Sequence, residues 1–376
     1  MASVLFVTWD GGGNLAPALG IAGALAQRGQ TVEFLGHGQQ EPAIRARGFG
    51  FHPFRHAAAW PPAPPADTRP GPRPLPAVFT DDGMGQDLVE LAHRQPFDLI
   101  VVDHLLWGAL KAAEEKGLAH ATLVHTLLGQ QRDAWSKGPG ADLAASQGYR
   151  PVELWFRSQL VMVATLPETD PASGDELPEN VHFTGPVWQG HPAPAIASSE
   201  PLALVSLSTL HQPGQAAALQ TIFDGLAAMP LRAVATTGGS VNPSDHKPPR
   251  NVEVVAFADH AEVMARASLV ITHGGHATAM AALSRDLPLL LIPMFPLGDQ
   301  PVIASIVQSQ GAGIALSKDC SAGQVRESVQ MLLGDPAYRE AASRLGGLIR
   351  RRDGAETAAD RLMNALRTLT PAADAS

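Results

Sequence analysis

The sequence predicts a protein of the α/β class with two domains in series, each built on a parallel sheet. Short apolar runs of strand length alternate with alanine- and leucine-rich stretches of helix length along most of the chain. Apolar runs of this kind are typical of strands buried on both faces, as in a parallel sheet. The chain has 376 residues, more than one ordinary core accommodates, and a Pro/Ala/Ser-rich break separates two alternating series.

The first series begins with a predicted strand over residues 4–7, a glycine turn over 10–14 and a helix over 17–28 that Gly29 ends. It continues with strands over 31–35, 99–102 and 121–124 and a helix over 108–115. Residues 56–75 interrupt the alternation with many prolines, which exclude regular structure there. A long irregular loop of this kind is either functional or disordered.

The second series contains strands over 202–207, 232–236, 252–257, 268–272 and 287–292 and helices over 215–229, 261–267 and 278–284. The two series therefore predict a first domain over residues 1–188, a linker over 189–201 and a second domain over 202–354. A C-terminal segment over 355–376 contains a last helix, which we expect to pack back toward the first domain.

Composition excludes several functions. Lys plus Arg is 27 and Asp plus Glu is 36, so the net charge is −9, whereas nucleic-acid binding needs clustered basic residues. The single cysteine, Cys320, cannot form a disulfide within the chain, which fits a reducing compartment. The first residues do not resemble a signal peptide, and no apolar stretch is long enough to span a membrane. We therefore expect a cytoplasmic protein without membrane or nucleic-acid partners.

The most informative motif is His273-Gly274-Gly275, which lies between an apolar strand and an alanine-rich helix. Two glycines allow the backbone to approach a ligand closely, and the N–H groups and dipole at the helix start favour an anion. A diphosphate suits such a site without a metal, and His273 could donate a hydrogen bond to a phosphate oxygen. The alternative is an ordinary strand-to-helix turn in which His273 caps the backbone.

Asp299 and Gln300 follow about 25 residues later, after the strand over 287–292. A carboxylate and an amide at the carboxyl end of a strand suit a hydroxyl-rich ligand, because ligands of open α/β sheets bind at that edge. The pair alone is a weak signal, since most such pairs are surface residues.

The stretch from residue 257 to 316 resembles the donor-binding signature of family 1 glycosyltransferases. The matching positions keep their order and spacing: Phe257, Ala258, Asp259, His260, His273, Gly274, Gly275, Thr278, Pro288, Pro293, Asp299, Gln300, Gly311, Ala312 and Gly313. The resemblance implies two Rossmann-like domains that face each other across a cleft, the GT-B fold. It also implies transfer of a sugar from a nucleoside diphosphate to a hydrophobic small molecule, with inversion and without a metal or other cofactor.

The resemblance also implies a role for each donor-site residue. Phe257 would lie against the nucleobase, the His273 turn would hold the diphosphate, and Asp299 with Gln300 would contact the donor sugar. The complete donor-binding set is Ser208, Thr209, Thr237, Gly238, Phe257, Ala258, His273, Gly274, Gly275, Thr278, Asp299 and Gln300.

One departure from the pattern concerns the donor. Many family members that use UDP-glucose have a Glu eight residues after the histidine, where it binds both ribose hydroxyls, and this chain has Ala281 there. A 2-deoxyribose has one hydroxyl fewer and needs that carboxylate less. We therefore expect a dTDP-linked deoxysugar donor; the alternative is that another group binds the ribose.

A second departure concerns the catalytic base. Glycosyl transfer needs a base to deprotonate the acceptor hydroxyl. The family position for this base, usually His and sometimes Asp, aligns with Asn14, and a neutral amide is a very weak base. Asp103, which ends a predicted strand, is the next candidate, with Asn14 orienting the acceptor.

His104, His125 and Asp10 are further candidates for the base because each lies near a predicted strand end. A histidine in such a place is more often structural. An acidic phenol or an amine acceptor would need no strong base at all.

Trp60 in the proline-rich loop, with Trp107, could line an apolar acceptor pocket. The alternative is that Trp107 belongs to the core.

Other functions stay open from the sequence alone. Gly11-Gly12-Gly13 fits a dinucleotide fingerprint, which would indicate a nicotinamide or flavin oxidoreductase, but no acidic residue ends the second strand, and Glu33 lies inside it. A non-catalytic nucleotide-binding helper would tolerate Asn14. A nucleotide-sugar epimerase or hydrolase of the same fold is the third alternative.

Overall fold

The computed structural model describes residues 1–60, 76–188, 192–196, 200–208, 212–239, 241–296 and 298–369. These residues divide into two compact units. The first comprises residues 1–60, 76–188 and 352–369, and the second comprises the described residues between 192 and 351. Most of the proline-rich loop (61–75) and Thr209 lie outside the described residues. No helix in the described part of the chain is long and apolar enough to cross a membrane.

The described residues of the first unit form a seven-stranded parallel sheet. Its strands are β1 (Ser3–Val7), β2 (Thr31–Gly36), β3 (Gly50–Pro53), β4 (Leu99–Asp103), β5 (His120–Val124), β6 (Leu160–Val163) and β7 (Val181–Phe183). Their order across the sheet is β3-β2-β1-β4-β5-β6-β7. The order 3-2-1-4-5-6 is that of the Rossmann fold, in which the chain leaves the central strand in both directions.

Helices connect these strands and cover both faces of the first sheet. They are α1 (Leu15–Gln27), α2 (Glu41–Arg45), α3 (Pro76–Phe79), α4 (Asp82–Arg94), α5 (Trp107–Glu115), α6 (Leu128–Ser136), α7 (Gly138–Ser146) and α8 (Pro151–Arg157), with short 3₁₀ turns at Gly38–Gln40 and Pro167–Thr169. Strands β4 and β5 are buried along their whole length, so the sheet has apolar layers on both sides.

The second unit repeats this architecture. Its described strands are β8 (Leu202–Ser206), β9 (Arg232–Thr236), β10 (Val252–Val255), β11 (Leu269–Thr272), β12 (Leu289–Leu291) and β13 (Gly313–Ala315), in the order β10-β9-β8-β11-β12-β13. Its helices are α9 (Gln215–Leu226), α10 (His260–Met264), α11 (His276–Leu283), α12 (Gln300–Ser309), α13 (Ala322–Gly334) and α14 (Pro336–Arg350), with a 3₁₀ turn at Pro243–Asp245. This is again the Rossmann order.

The last helix, α15 (Gly354–Leu369), belongs to the first unit and packs against α1. Leu362 is fully buried in the same apolar cluster as Ile21. At the surface, Arg28 lies 2.8 Å from Glu356 and 2.6 Å from Asp360. The helix therefore completes one face of the first sheet.

The division into units differs from the predicted boundaries at two places. Residues of the predicted linker pack on the second unit, where the Ala195 N–H donates to the Arg285 carbonyl and the Ile196 N–H to the Ala265 carbonyl. Arg352, placed in the second domain by the sequence, lies in the first unit and pairs with Glu168 at 2.9 Å.

Two predicted elements end earlier than expected. The helix predicted to reach residue 229 ends at Leu226, because Ala228 adopts a left-handed conformation with φ of 60° that an α-helix excludes. The strand predicted over 252–257 ends at Val255, so Phe257 lies in the loop after it.

Candidate functional site

Three polar side chains meet where β1, β4 and β5 of the first sheet end. β4 lies between β1 and β5, so the loops after these parallel strands share one edge of the sheet. Asn14 precedes α1, Asp103 is the last residue of β4, and His125 follows β5. The sequence named each of them as a catalytic candidate, and the structure brings them into contact.

Asp103 is the centre of this cluster. Its carboxylate is 4% exposed, and Oδ2 lies 2.8 Å from Nδ1 of His125. The Leu105 N–H donates to Oδ1 at 3.0 Å, and the Asn14 amide donates to Oδ2 at 3.4 Å.

These neighbours keep Asp103 ionised. Burial acts to raise the pKa of the Asp103 carboxyl, but the charge and hydrogen bonding of His125, with help from His104 and the Leu105 N–H, outweigh it, and the pKa is lowered. The group is therefore a carboxylate at neutral pH.

Asn14 holds the turn after β1. Its Nδ2 donates to the Trp9 carbonyl at 2.9 Å and lies 3.3 Å from Thr8 Oγ1, while its Oδ1 accepts the Gly11 N–H at 3.2 Å. The side chain is buried, and both ends of the amide have partners within the turn or on Asp103. These contacts give Asn14 a structural role in this unit.

His104 is enclosed beside the cluster. Its side chain is 0% exposed, and its ring lies 4.7 Å from that of His125 and 5.4 Å from that of Trp155, centre to centre. Burial, with the nearby charge of His125, lowers the pKa of His104 to about 3. The ring is therefore neutral at physiological pH, and it has no exposed surface from which to reach an acceptor.

Asp10, the remaining candidate for the base, lies half-buried in the turn after β1. Its backbone N–H donates to Nδ1 of His37 at 3.3 Å. Burial raises the pKa of the Asp10 carboxyl. A carboxyl that protonates more easily is a better base, so this environment does not exclude Asp10.

Among the described residues, this cluster is the group whose side chains could hold a metal ion. Asp103, His104 and His125 each offer a ligand atom within 4.8 Å of the others. The carboxylate oxygens of Asp103 are already in contact with His125, Asn14 and the Leu105 N–H. We therefore interpret the cluster as a carboxylate–imidazole pair.

In the second unit, the predicted donor-site residues follow three adjacent strands. β8 lies between β9 and β11, so their carboxyl ends form one edge of the sheet. Ser208 follows β8, Thr237 and Gly238 follow β9, and the His273 turn follows β11. Ser208 and Thr237 are buried at this edge.

His273 is held in this edge by backbone contacts. Its ring hydrogen-bonds the backbone of Ser206 at the end of β8, and its Nδ1 lies 3.4 Å from Thr272 Oγ1. Burial lowers the pKa of His273 to about 4, so the ring is neutral at pH 7. A neutral imidazole has a single N–H, which the backbone of Ser206 engages here, so a second donation to a phosphate would need the doubly protonated ring.

Different constraints exclude a side chain at the two glycines of the turn. Gly274 has a φ of +86°, and a Cβ there would lie 3.1 Å from the Gln300 carbonyl oxygen. Gly275 is the N-cap of α11, and a Cβ there would lie 2.7 Å from His273 Nε2. No Cβ at position 275 therefore covers the first N–H groups of α11, a helix of eight residues. Uncovered N–H groups at a helix start suit an anion.

Gln300 supports a loop of the second unit. Its side chain is buried, and Oε1 accepts the backbone N–H groups of Met294 at 2.8 Å and Phe295 at 3.0 Å. Gln300 therefore holds the loop after β12, and only its NH₂ group could serve a sugar hydroxyl. Asp299 is the half-exposed N-cap of α12. No sequence pattern indicates the role of Gln300 in the loop.

The remaining donor-site residues lie around the same strands. Phe257 is 74% exposed in the loop after β10, with half-buried Ala258 next to it. An exposed aromatic ring at this position has a face open to solvent. Thr278 and Ala281 are half-buried on α11, and the Ala281 carbonyl accepts a hydrogen bond from Arg285 at 3.3 Å.

The predicted acceptor residues belong to an aromatic cluster under the first glycine turn. Trp9 contacts Trp60 edge to face at 5.7 Å and Phe79 at 5.6 Å, and Trp107 lies 4.7 Å from Trp135. Trp60 is half-buried, whereas Trp107 is 0% exposed.

This burial corrects the expectation for Trp107. Its ring fills the core between α5 and its neighbours, so it offers no surface to an acceptor in this structure. Sequence analysis did not single out Trp9. Its carbonyl accepts a hydrogen bond from Asn14, and its ring contacts the half-buried Trp60. Its position two residues after the end of β1 was the available signal.

The structure also removes the support for a dinucleotide-dependent oxidoreductase. That function requires an acidic side chain placed to hold a ribose at the end of β2. Glu33 lies within β2, with Oε2 at 2.6 Å from His52 Nε2 and Oε1 accepting from Gln95. Its carboxylate is therefore used within the unit.

Comparisons with known proteins agree with this architecture. Residues 220–355 match the family model described as "Erythromycin biosynthesis protein CIII-like, C-terminal domain". The chain is 24% identical to an uncharacterized UDP-glucosyltransferase, YojK, of Bacillus subtilis, over 100% of both chains. It is also 24% identical to 4'-demethylrebeccamycin synthase of Lentzea aerocolonigenes, over 96% of this chain and 98% of the other.

Solved structures show the same fold over nearly the whole chain. The glycosyltransferase of kitacinnamycin is 21% identical with a TM-score of 0.78, covering 97% of this chain and 99% of the other. The glycosyltransferase VinC, solved in complex with dTDP, is 20% identical with a TM-score of 0.71, covering 97% and 100%. With two Rossmann-type sheets and the signature turn after β11, the chain is a glycosyltransferase with the GT-B fold, similar to the family 1 enzymes of natural-product biosynthesis.

Proposed function

We propose that this glycosyltransferase moves a deoxysugar from a dTDP-linked donor to a hydrophobic natural-product acceptor, with inversion at the anomeric carbon and without a metal ion. The observation that carries the proposal is the turn after β11, where Gly275 caps α11 and His273 is held against β8. The proposal keeps the expectation that the enzyme acts in the cytoplasm on two small molecules.

The physical case for a diphosphate lies in the charge distribution of this turn. The N-terminus of α11 carries partial positive charge and N–H donors, and the ring of His273 lies directly beside it, near Gly275. The leaving nucleoside diphosphate gains negative charge as the glycosidic bond breaks. Donors fixed in place before the reaction stabilise such charge most effectively, which is why no metal is invoked.

The case for dTDP rests on Ala281. This residue lies on α11, eight positions after His273, where a carboxylate would bind both hydroxyls of a ribose. A methyl side chain offers a 2′-hydroxyl no partner, and a polar group buried without a partner costs about 1–3 kcal/mol. A 2-deoxyribose avoids that cost.

Calorimetry with UDP, dUDP and dTDP tests the nucleotide, since UDP and dUDP differ only in the 2′-hydroxyl. We expect dUDP and dTDP to bind at least as tightly as UDP. Ala281→Glu should reverse the preference by about tenfold, because it supplies a charged hydrogen-bond acceptor. Ala337→Glu, which adds the same charge at an exposed position of α14, should leave the preference unchanged. Equal preferences in both variants would contradict the role given to Ala281.

Turnover tests the reaction. dTDP-rhamnose, dTDP-glucose and UDP-glucose would each be incubated with 4-methylumbelliferone as a flat phenolic acceptor, with and without EDTA. We expect a dTDP-sugar to react fastest and EDTA to have no effect; fastest turnover of UDP-glucose would contradict the proposed donor. Binding without turnover would indicate a non-catalytic helper, which Asn14 permits, and donor consumption without acceptor would indicate a hydrolase or epimerase.

A further inference from the structure

We propose that His125 is the general base of this enzyme and that Asp103 is the residue that positions it. The inference rests on the proposed transfer of a sugar to an acceptor hydroxyl. It assigns the proton transfer to the end of β5, although the family position for the base, after β1, is occupied by Asn14.

The side chain of Asn14 is committed to the turn after β1. Its amide makes hydrogen bonds to the Trp9 carbonyl and the Gly11 N–H, which fix the turn. A neutral amide does not accept a proton at physiological pH, so the base must be another group.

The three candidate groups differ in how far their side chains are exposed. Asp103 has neighbours on both carboxylate oxygens and is 4% exposed, and His104 is 0% exposed, whereas the side chain of His125 is 15% exposed. Of these three groups, His125 alone combines a surface that an acceptor can touch with direct contact to the buried carboxylate. Asp103, the first candidate from sequence, is placed to act through His125.

The contact with Asp103 determines which ring nitrogen of neutral His125 carries the proton. Nδ1 of His125 lies 2.8 Å from a carboxylate oxygen of Asp103, and an ionised carboxylate only accepts hydrogen bonds. The neutral ring therefore carries its proton on Nδ1, and the lone pair is on Nε2, at the far side of the ring. A carboxylate that fixes the tautomer of a catalytic histidine in this way is well known from hydrolases.

The proton and electron balance of the step is complete with these groups. The acceptor oxygen forms a bond to the anomeric carbon, and the bond from that carbon to the β-phosphate oxygen breaks with its electron pair leaving on the diphosphate. The hydroxyl proton moves to Nε2 of His125. The carboxylate of Asp103 stabilises the resulting imidazolium, which returns the proton to water after product release.

The surroundings of His125 favour this cycle. Among the described residues, the titratable groups seen against His125 are Asp103 and His104, both from the end of β4. His104 stays neutral because of its burial, so the imidazolium of His125 faces one carboxylate and no competing cation among the described neighbours. His104 is itself fully buried and packs beside the pair, 3.5 Å from Asp103 Oδ1.

The kinetic test compares His125→Gln with the wild-type enzyme, using dTDP-rhamnose, dTDP-glucose and testosterone, a hydrophobic acceptor whose aliphatic hydroxyl is not acidic and so needs a base. We expect kcat to fall by 10²- to 10⁴-fold, the usual contribution of a general base, while the dTDP affinity measured by calorimetry stays within about twofold. His93→Gln, the same change at an exposed position of α4, should leave both unchanged. Turnover of His125→Gln within threefold of wild type would overturn the assignment and leave the proposed reaction intact.

The pH profile separates a base from a structural residue. The wild-type rate should fall on the acid side as the imidazole becomes protonated, and this acid limb should be missing from the residual rate of His125→Gln. Asp103→Asn should lower kcat and move the acid limb to lower pH, because the imidazolium loses its counter-charge. An unchanged limb in His125→Gln would assign the titration to another group and overturn the proposal.

A spectroscopic test needs no acceptor. Nitrogen-15 NMR of the histidine rings distinguishes the two neutral tautomers, and the signal of His125 is identified by its loss in His125→Gln. We expect the Nδ1–H form in the wild type and loss of this preference in Asp103→Asn. An Nε2–H form in the wild type would overturn the proposal, whereas a wild type that binds no nucleoside diphosphate would count against the proposed function and not against the tautomer.

Discussion

The ring of His273 occupies the space that a side chain on Gly275 would need. A Cβ on Gly275 would lie 2.7 Å from Nε2 and 2.8 Å from Cε1 of the imidazole. Such distances are below normal contact, so any side chain at position 275 must displace the ring. The conformation of His273 and the absence of a side chain at position 275 are therefore one structural feature.

Gly275→Ala is accordingly expected to weaken nucleoside diphosphate binding. The displaced ring would lose its hydrogen bond to the backbone of Ser206 and its position beside the start of α11. We expect the Kd for dTDP to rise by about tenfold, which corresponds to roughly 1.4 kcal/mol. Calorimetry gives this value directly, and Gly334→Ala is the control, because a Cβ there would meet nothing within 4 Å. Wild-type affinity in Gly275→Ala would show that His273 does not contribute to binding.

Substitutions of Gln300 should separate loop support from sugar contact. Oε1 accepts the N–H groups of Met294 and Phe295, whereas the NH₂ group is the part that could reach a ligand. Gln300→Glu keeps an oxygen for both N–H groups, so its melting temperature should stay close to that of wild type while kcat/KM falls. Gln300→Leu should lose stability as well, by about 1–3 kcal/mol, because two buried N–H groups lose their acceptor.

The experiment needs both measurements on both variants. Equal melting temperatures for Gln300→Glu and Gln300→Leu would show that the loop does not depend on the oxygen. Full activity in Gln300→Glu would show that the amide does not serve the sugar.

The part of the fold that the sequence predicted best is the central part of each sheet. β1, β4 and β8 are uninterrupted apolar runs, and their burial on both faces makes such runs unmistakable. β7 and β13 are three residues long and incompletely buried, so no run marks them. Their position depends on pairing with a neighbouring strand, which local sequence does not encode.

The candidate site shows the same division between local and long-range information. That Asp103 and His125 each stand at a strand end was predictable from the sequence. Their contact depends on β4 and β5 being neighbours in the sheet, which is a property of topology. Trp107 illustrates the opposite case, because its burial comes from Phe79 and Trp135, residues of other elements that no local pattern connects to it.

Asp87 should control the stability of the segment that leads to Trp60. Its buried carboxylate accepts the backbone N–H groups of Arg55 at 2.8 Å, His56 at 3.0 Å and Ala57 at 3.2 Å. Asp87→Ala leaves all three without an acceptor. We expect the free energy of unfolding to fall by about 1.5–3 kcal/mol, the range for hydrogen bonds to a charged group.

The measurement is denaturant unfolding, with exposed Asp142→Ala as the control for loss of one negative charge. Asp87→Asn, which keeps one carbonyl oxygen, should lie between the wild type and Asp87→Ala. A loss as small as that of Asp142→Ala would show that the segment is held by other contacts.

The last prediction concerns acid stability and His104. The folded state holds this ring neutral with a pKa of about 3, whereas an unfolded histidine titrates near 6.5. Between these values the unfolded chain binds a proton that the folded chain does not, so the stability due to His104 is complete above about pH 6.5 and decreases as the pH falls toward 3. The loss amounts to roughly 1.4 kcal/mol per pH unit, or about 2 kcal/mol between pH 6.5 and pH 5.

His104→Phe keeps a planar ring beside Trp155 and removes the titration, and the Trp155 N–H can still donate to the backbone carbonyl of residue 104. Tryptophan fluorescence is a suitable probe, because all six tryptophans precede residue 189 and so report the first unit. We expect the wild type to lose about 2 kcal/mol more than His104→Phe between pH 6.5 and pH 5. Exposed His93→Gln should behave like the wild type. Since other buried histidines contribute equally to both proteins, parallel losses in wild type and His104→Phe would mean that His104 already accepts a proton in the folded state.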